Sequence, residues 1–308
     1  MAENLPTVSV IIPARAAGAT LPRTLQSVGA QTYPKVVEVI VAAADESSAE
    51  AALGATVIVN PKGLTPAGLN QAIEASSGEV IVRCDAQSLL PPDYVERAVE
   101  TLIRTGAANV GGMQVPVGTT PWERAIAEAM KSPLGSGDAR YRIGGEAGPV
   151  ETVYLGVFRR EALQRIGGFD EDFARTQDYE LNHRLIEAGE IVWFDPQLRV
   201  TYQPRGSLPS LARQYFDYGR AKRQFNRKHP GSLRWRQMAA PALVTILTIS
   251  VVGSVWAPAL LVVPAAYATT LLAAGAAGSG TLWRVALAIA TMHVSWGSGF
   301  ISQRGRGR

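Results

Sequence analysis

The chain has 308 residues, 47% of them hydrophobic and 18% charged, with a net charge of +4. That length suits one large domain or two smaller ones, and a single cysteine, Cys84, excludes an intrachain disulfide. The basic total is no nucleic-acid footprint: residues 205–236 hold nine Lys/Arg against one acid, Asp217, residues 237–308 hold four Arg and no Asp, Glu or Lys, and residues 1–204 carry −8.

The chain therefore divides into an acidic globular part, a basic belt and an apolar tail. The N-terminus has no basic n-region and no apolar h-region, so no secretory signal peptide is expected. The globular part is expected in the cytoplasm.

The run Val8-Ser9-Val10-Ile11-Ile12 predicts a buried strand ended by Pro13. Thr20 is expected to cap a helix carrying Leu21, Leu25 and Val28 at i, i+4 and i+7. Residues 36–42 predict a second strand, leading to Asp45-Glu46-Ser47-Ser48, and residues 56–59 a third. Thr65 is a second expected cap, for a helix with Leu69 and Ile73 that stops near Gly78. Residues 80–84 form the fourth expected strand, and Pro92 opens a helix to about Arg104. Strands alternating with helices at this spacing imply a mostly parallel sheet covered on both faces.

After Gly106 the rhythm changes. Residues 109–115 predict a strand and 122–130 a helix; 132–148 are Gly-rich without periodicity and read as a mobile, lid-like loop. A strand over 153–158 and a short helix over 161–166, closed by Gly167-Gly168, come next. The helix over 178–188 puts Leu181 and Leu185 on one face, pairs Glu180 with Arg184 and ends at Gly189.

Residues 239–257, 259–277 and 281–300 are apolar, the last interrupted by Arg284. At ~20 residues per span, two or three transmembrane helices fit. In the belt, Leu211, Tyr215, Tyr218 and Phe225 lie among Arg213, Arg220, Lys222 and Arg223. That mixture suits a helix lying on an anionic leaflet, and it also satisfies the positive-inside rule. The expected divisions are 1–204, 205–238 and 239–303.

Asp85 closes the run Glu79-Val80-Ile81-Val82-Arg83-Cys84-Asp85. In an open α/β sheet, ligands collect beyond the carboxyl ends of strands, so Asp85 is expected to hold a ligand. Pro13-Ala14-Arg15 and Asp45 or Glu46 follow strands in the same way, and Thr176-Gln177-Asp178-Tyr179-Glu180 starts a helix. Cys84 reads as a small buried hydrophobe and His183 as an ordinary surface or core histidine. Gly111-Gly112 and Gly144-Gly145 make no phosphate loop.

In order and spacing, these blocks resemble glycosyltransferase family 2. They are Val8-Ser9-Val10-Ile11-Ile12-Pro13-Ala14-Arg15, Gly68-Leu69-Asn70-Gln71-Ala72, Arg83-Cys84-Asp85, Ile166-Gly167-Gly168-Phe169-Asp170 and Gln177-Asp178-Tyr179-Glu180-Leu181. The continuation through Tyr218-Gly219-Arg220 into apolar helices is similar to membrane-bound bacterial members that build surface polysaccharides.

The resemblance implies an α/β GT-A fold, a mostly parallel nucleotide-binding sheet with helices on both faces, followed by C-terminal transmembrane helices. It implies that Asp85 is the first position of a D-x-D motif, holding Mg²⁺ or Mn²⁺ and the donor diphosphate. Gln87 takes the last position and offers an amide oxygen in place of a carboxylate.

The resemblance makes Asp178 the base for the acceptor proton; its other role is a helix cap. Pro13, Ala14 and Arg15 would hold the nucleobase, with Asp45 as the acid after the second strand. Asn70 either bonds the nucleotide or fixes its helix. Arg83 either approaches the diphosphate or pairs with an acid of the sheet. Arg220 and Arg223 either approach the diphosphate and acceptor or belong to the belt.

The implied enzyme is an inverting glycosyltransferase. It would move a sugar from a UDP- or GDP-sugar to a lipid-linked or polysaccharide acceptor at the cytoplasmic membrane face, with no nucleic acid involved. Its competitors are a polyprenyl-phosphate sugar synthase, a nucleotidyltransferase and a degenerate nucleotide-sugar-binding scaffold.

Overall fold

The structure is a computed structural model, which describes residues 5–276 and 282–302. In chain order the first elements are β1 Val8–Ala14, α1 Leu21–Gly29, β2 Val36–Ala43, α2 Glu46–Glu50, β3 Thr56–Val59, α3 Thr65–Ala75, β4 Val80–Arg83 and α4 Tyr94–Thr105. Then come β5 Asn109–Pro116, α5 Pro121–Lys131, α6 Pro133–Ser136, α7 Arg140–Ile143, β6 Gly148–Pro149, β7 Tyr154–Arg159, α8 Arg160–Arg165, α9 Gln177–Glu187 and β8 Val192–Tyr202. Helices α10 Leu208–Lys228, α11 Ala239–Gly253, α12 Val262–Ala276 and α13 Leu282–Ile301 complete the described chain.

Two compact units result. The first joins residues 1–115 to 139–202, and the second joins 116–138 to 203–308. Helix α5 therefore groups with the C-terminal helices, although in sequence it lies amid the acidic part.

The first unit is built on one eight-stranded sheet, ordered β3-β2-β1-β4-β7-β5-β8-β6. Strands β3, β2, β1 and β4 are parallel, whereas β7 runs antiparallel to both β4 and β5, and β6 runs antiparallel to β8. The sheet is thus mixed, and the mostly parallel sheet expected from the sequence is corrected. The reason is physical: an apolar run such as β7 is buried whichever way it points, so its residues carry no sign of direction.

Alternation along the central strands buries both faces. Val8, Val10 and Ile12 of β1, with Val80 and Val82 of β4, face α1 and α4 through Leu21, Val28, Val95, Ala98 and Leu102. Ile11 and Ile81 face the other way, toward Leu69 of α3, Leu163 of α8, and Leu181 and Leu185 of α9. Each fully buried Leu or Ile contributes about 1.5–3 kcal/mol.

Several local expectations need correction. Strand β1 continues through Pro13 to Ala14. Its pairing with β4 stops at Ile11, so Pro13 lies past that ladder and its missing N–H leaves no gap there. Thr20 stands at the start of α1 without accepting a capping bond; its hydroxyl donates to Ala86 O at 2.9 Å. Leu64, not Thr65, is the residue before α3. The loop expected over 132–148 contains the single turns α6 and α7, too short to leave a periodic signal, and the start of β6. Strand β8, eleven residues long, was not expected.

In the second unit α13 is the packed centre, with Val285, Ala286, Ala288, Ile289 and Met292 buried and α10, α11, α12 and α5 around it. Gly219 of α10 lies against the Trp296 backbone and Gly299 against the Phe216 backbone, leaving no room for a Cβ on either helix. Trp122 meets Trp283 edge to face at 5.6 Å, and Arg284 stacks over the Trp283 ring at 4.9 Å.

Among the described residues one helix, Trp235–Gly253, formed by α11 and the 3-10 turn Trp235–Met238 before it, is long and apolar enough to cross a membrane, with mean hydropathy 1.4 and 11% of it buried. The apolar helix Pro258–Ala273 falls short of a span, and α13 buries part of its surface against neighbouring helices. Multiple transmembrane helices are therefore not established. Residue 277 of the second expected span, 281 of the third and the terminal Arg304, Arg306 and Arg308 lie outside the described residues.

Candidate active site

Strand order 3-2-1-4 reverses at β1, so β1 and β4 flank the switch point where an open α/β sheet leaves a crevice at its carboxyl edge. The residues at that edge are Ala14, Ala43 and Arg83, and the loops beyond them build the site.

The β1 loop is held by its neighbours. Ala14 is 2% exposed, its side chain in the core, and its carbonyl accepts from Ala44 N at 2.8 Å. Ala14 thus ends the strand with its side chain in the core and its backbone at the loop. Arg15 Nη1 donates to Gly63 O at 3.2 Å, tying this loop to the one after β3. Ala16 adopts φ +50°, a strained value for a residue with a Cβ. The reward is a 2.6 Å bond from Ala16 N to Asp45 Oδ2.

Asp45 is fully engaged. It caps α2 through Ser48 N at 3.0 Å and accepts from Ser47 Oγ at 2.6 Å. The Ser47 hydroxyl, then the Ala16 and Ser48 donors, hold its carboxyl down at about 2. These bonds make Asp45 the tie between the β1 and β2 loops.

Asn70 has two reciprocal bonds with the Phe169 backbone, each 2.8 Å. Of its two possible roles, fixing the helix is the one its amide performs here. Gly168, at φ +71°, lies so close to Asn70 Oδ1 that a Cβ would collide with it.

Beyond β4, Asp85 O accepts from Ser88 N at 2.9 Å, closing a turn over Ala86 and Gln87. Gln87 is exposed at its tip. Arg83 Nε and Nη2 donate to Asp85 Oδ1 at 3.2 and 2.8 Å. Arg83 Nη1 pairs with Asp178 Oδ1 in the first turn of α9. Asp85 and Asp178, far apart in sequence, are thus brought to one guanidinium.

Thr176, at φ +60°, precedes α9 and makes no capping bond. Behind the turn, Tyr154 OH lies 3.3 Å from Ser88 Oγ, and burial, then the Asp85 charge, push its phenol up. Neither Tyr154 nor Ser88 was singled out in the sequence. The signal was a tyrosine inside an apolar strand, whose hydroxyl needs a partner.

The donor set is all oxygen. Asp85 Oδ2 has no protein partner among the described residues, and Gln87 adds an amide oxygen. Such donors fit a hard dication that keeps waters and phosphate oxygens as its other ligands. Cys84 is fully buried, and burial, then the Asp85 charge, push its thiol up, so it is no nucleophile. His183 Nε2 lies 3.2 Å from Glu187 Oε1.

Arg220 and Arg223 belong to α10, in the second unit. Arg223 Nη1 donates to Phe300 O and Ile301 O at 3.0 and 2.7 Å, satisfying the last carbonyls of α13.

Residues 9–167 match the family described as Glycosyl transferase family 2. The chain belongs to that family and is a glycosyltransferase. It is a member of the bacterial polysaccharide type: it is 34% identical over 254 residues to the succinoglycan biosynthesis protein ExoA of Rhizobium meliloti (strain 1021), covering 78% of this chain and 75% of that one. Glycosyltransferase AglE of Haloferax volcanii is 27% identical over 241 residues, covering 73% of this chain and 75% of its own. The mannosyltransferase PcManGT of Pyrobaculum calidifontis, solved in complex with GDP-Man and Mn²⁺, superposes with TM-score 0.67 at 19% identity. That alignment covers 98% of this chain and 89% of the other, and it shows a shared GT-A-like fold.

Proposed function

We propose that this protein is an inverting glycosyltransferase that moves a sugar from a UDP- or GDP-sugar to a lipid-linked or polysaccharide acceptor at the cytoplasmic membrane face. The observation that carries the reading is the meeting of Asp85 and Asp178 on Arg83 at the switch point. Asp85, with help from Gln87, would hold Mg²⁺ or Mn²⁺. The metal, when bound, neutralises the charge growing on the diphosphate leaving group.

Asp178 takes the acceptor proton. Its Oδ1 is held by Arg83, and Oδ2 is left for the hydroxyl. As the acceptor oxygen bonds to the anomeric carbon, the bond to the diphosphate oxygen breaks and the proton goes to Asp178. Arg15 borders the nucleotide from the β1 loop, with Pro13, Ala14 and Asp45 shaping its backbone; Asn70 supports from behind.

Residues 1–204 form the catalytic part in this reading, 205–238 an interfacial segment with Arg220 and Arg223 on the acceptor side, and 239–303 the membrane anchor. The apolar Trp235–Gly253 helix supports the membrane site. The succinoglycan biosynthesis role of the Rhizobium meliloti relative supports a lipid-linked or polysaccharide acceptor. The test is a panel of sugar nucleotides incubated with membranes carrying the protein. Release of one nucleoside diphosphate with transfer to the lipid fraction is expected; release of pyrophosphate or of nothing overturns the reading.

A further inference from the structure

Arg83 immediately precedes the Asp85 turn, yet its side chain is 4% exposed, against 33% for Asp85 and 32% for Asp178. A ligand entering the crevice meets carboxylate oxygens first, and the guanidinium lies behind them. Each acid gives Oδ1 to Arg83, and neither Oδ2 has a protein partner among the described residues. A guanidinium is a rigid planar fork that can hold two carboxylates at fixed angles, which an ammonium cannot. Without it, two carboxylates gathered at one place repel each other.

We propose that Arg83 is a positioning residue, a buried shared counter-ion that orients the metal-side Asp85 and the acceptor-side Asp178 without touching the donor diphosphate. This deepens the proposed function and rests on it. Arg83 sits at the end of β4, opposite Ile11 of β1, so the sheet itself sets the position from which both acids are aimed. The two halves of the reaction, donor capture and acceptor deprotonation, share one anchor.

The test compares the full-length wild type with Arg83→Met and Arg83→Lys. The readouts are binding of GDP and UDP with and without Mn²⁺ by calorimetry, the Mn²⁺ spin-resonance spectrum, donor KM and kcat. Nucleotide affinity measured without Mn²⁺ is expected to stay within about threefold of wild type, while the gain in affinity that Mn²⁺ brings is smaller than in wild type. In Arg83→Met, kcat falls by about 100-fold or more, and Arg83→Lys recovers only part of it. The bound Mn²⁺ spectrum changes in both variants as Asp85 reorients.

A loss of nucleotide affinity of about tenfold or more in the absence of Mn²⁺, at unchanged unfolding temperature, overturns the proposal, because it makes Arg83 a diphosphate ligand. Unchanged kcat overturns it too. If Arg83→Met does not fold, Arg83→Lys carries the same comparison. Failure of the underlying reading looks different: wild type itself then binds neither nucleotide with Mn²⁺, and both inferences fall.

Discussion

Asn70 and Phe169 lock α3 to the turn after α8, the Asn70 amide donating to Phe169 O and accepting from Phe169 N. Both amide ends are engaged, so substitution should act on stability and not on nucleotide binding. Asn70→Ala is expected to lower stability by about 1–3 kcal/mol, through a lost bond and an unpaired backbone group. The nucleoside diphosphate affinity of the folded protein stays at its wild-type value. Thermal unfolding beside calorimetry checks this, and a selective loss of affinity would falsify the structural role.

The tie between Asp45 and Ala16 carries a pH signature. The folded carboxyl sits at about 2, below the value near 4 of an unfolded chain. Its stabilisation is therefore complete above about pH 4 and is lost as pH falls through about 2. The gap in unfolding temperature between wild type and Asp45→Ala should be constant from about pH 8 to pH 5 and close below about pH 4. A gap that grows on acidification would contradict the hydrogen bonding described here.

Asp178 and Asp85 should separate by what they break. Asp178→Asn keeps nucleoside diphosphate binding and loses about 10²–10⁴-fold in kcat, the usual scale for a general base. Asp85→Asn loses both transfer and Mn²⁺ binding. Near-normal turnover in Asp178→Asn, or full activity of Asp85→Asn in excess chelator, removes the assigned roles.

Gln87 sits exposed at the tip of the Asp85 turn and brings no charge. Gln87→Ala is expected to weaken Mn²⁺ binding by less than about tenfold, and Gln87→Asp to tighten it, because carboxylates are the stronger ligands of hard dications. Titration of Mn²⁺ by spin resonance reads both variants; identical affinity in all three proteins excludes Gln87 as a ligand.

Ile246 lies near the middle of the Trp235–Gly253 helix and is 51% exposed. A Lys at the centre of a spanning helix costs about 2.5–3.5 kcal/mol on insertion. Ile246→Lys should shift protein from the membrane pellet to the alkaline-carbonate extract, whereas Ile249→Leu should not. Equal partition of the two variants argues against a span at this helix.

Much of the parallel half of the sheet was legible in the chain. Val8-Ser9-Val10-Ile11-Ile12 and residues 80–84 are short apolar runs bounded by turn residues, and such signals are local. Glu180 and Arg184 pair as their spacing requires, at 2.7 Å. The limits were also local. Thr20 has the chemistry of a cap but donates to Ala86 O, a partner that only folding brings near. Single turns such as α6 and α7 carry too few residues to show a period.

By itself the sequence determined the short apolar strands of the parallel half, the order of the site blocks, the family and the apolar character of the tail, because each of these is written in neighbouring residues. Tertiary structure alone decided that β7 enters the sheet antiparallel between β4 and β5. It also decided that α5 joins α13, and that Asp85 and Asp178 meet on Arg83. Contacts between distant segments leave no period in the chain. A buried guanidinium is costly unless carboxylates pair with it, but which ones it finds is settled only when the sheet and α9 close around it.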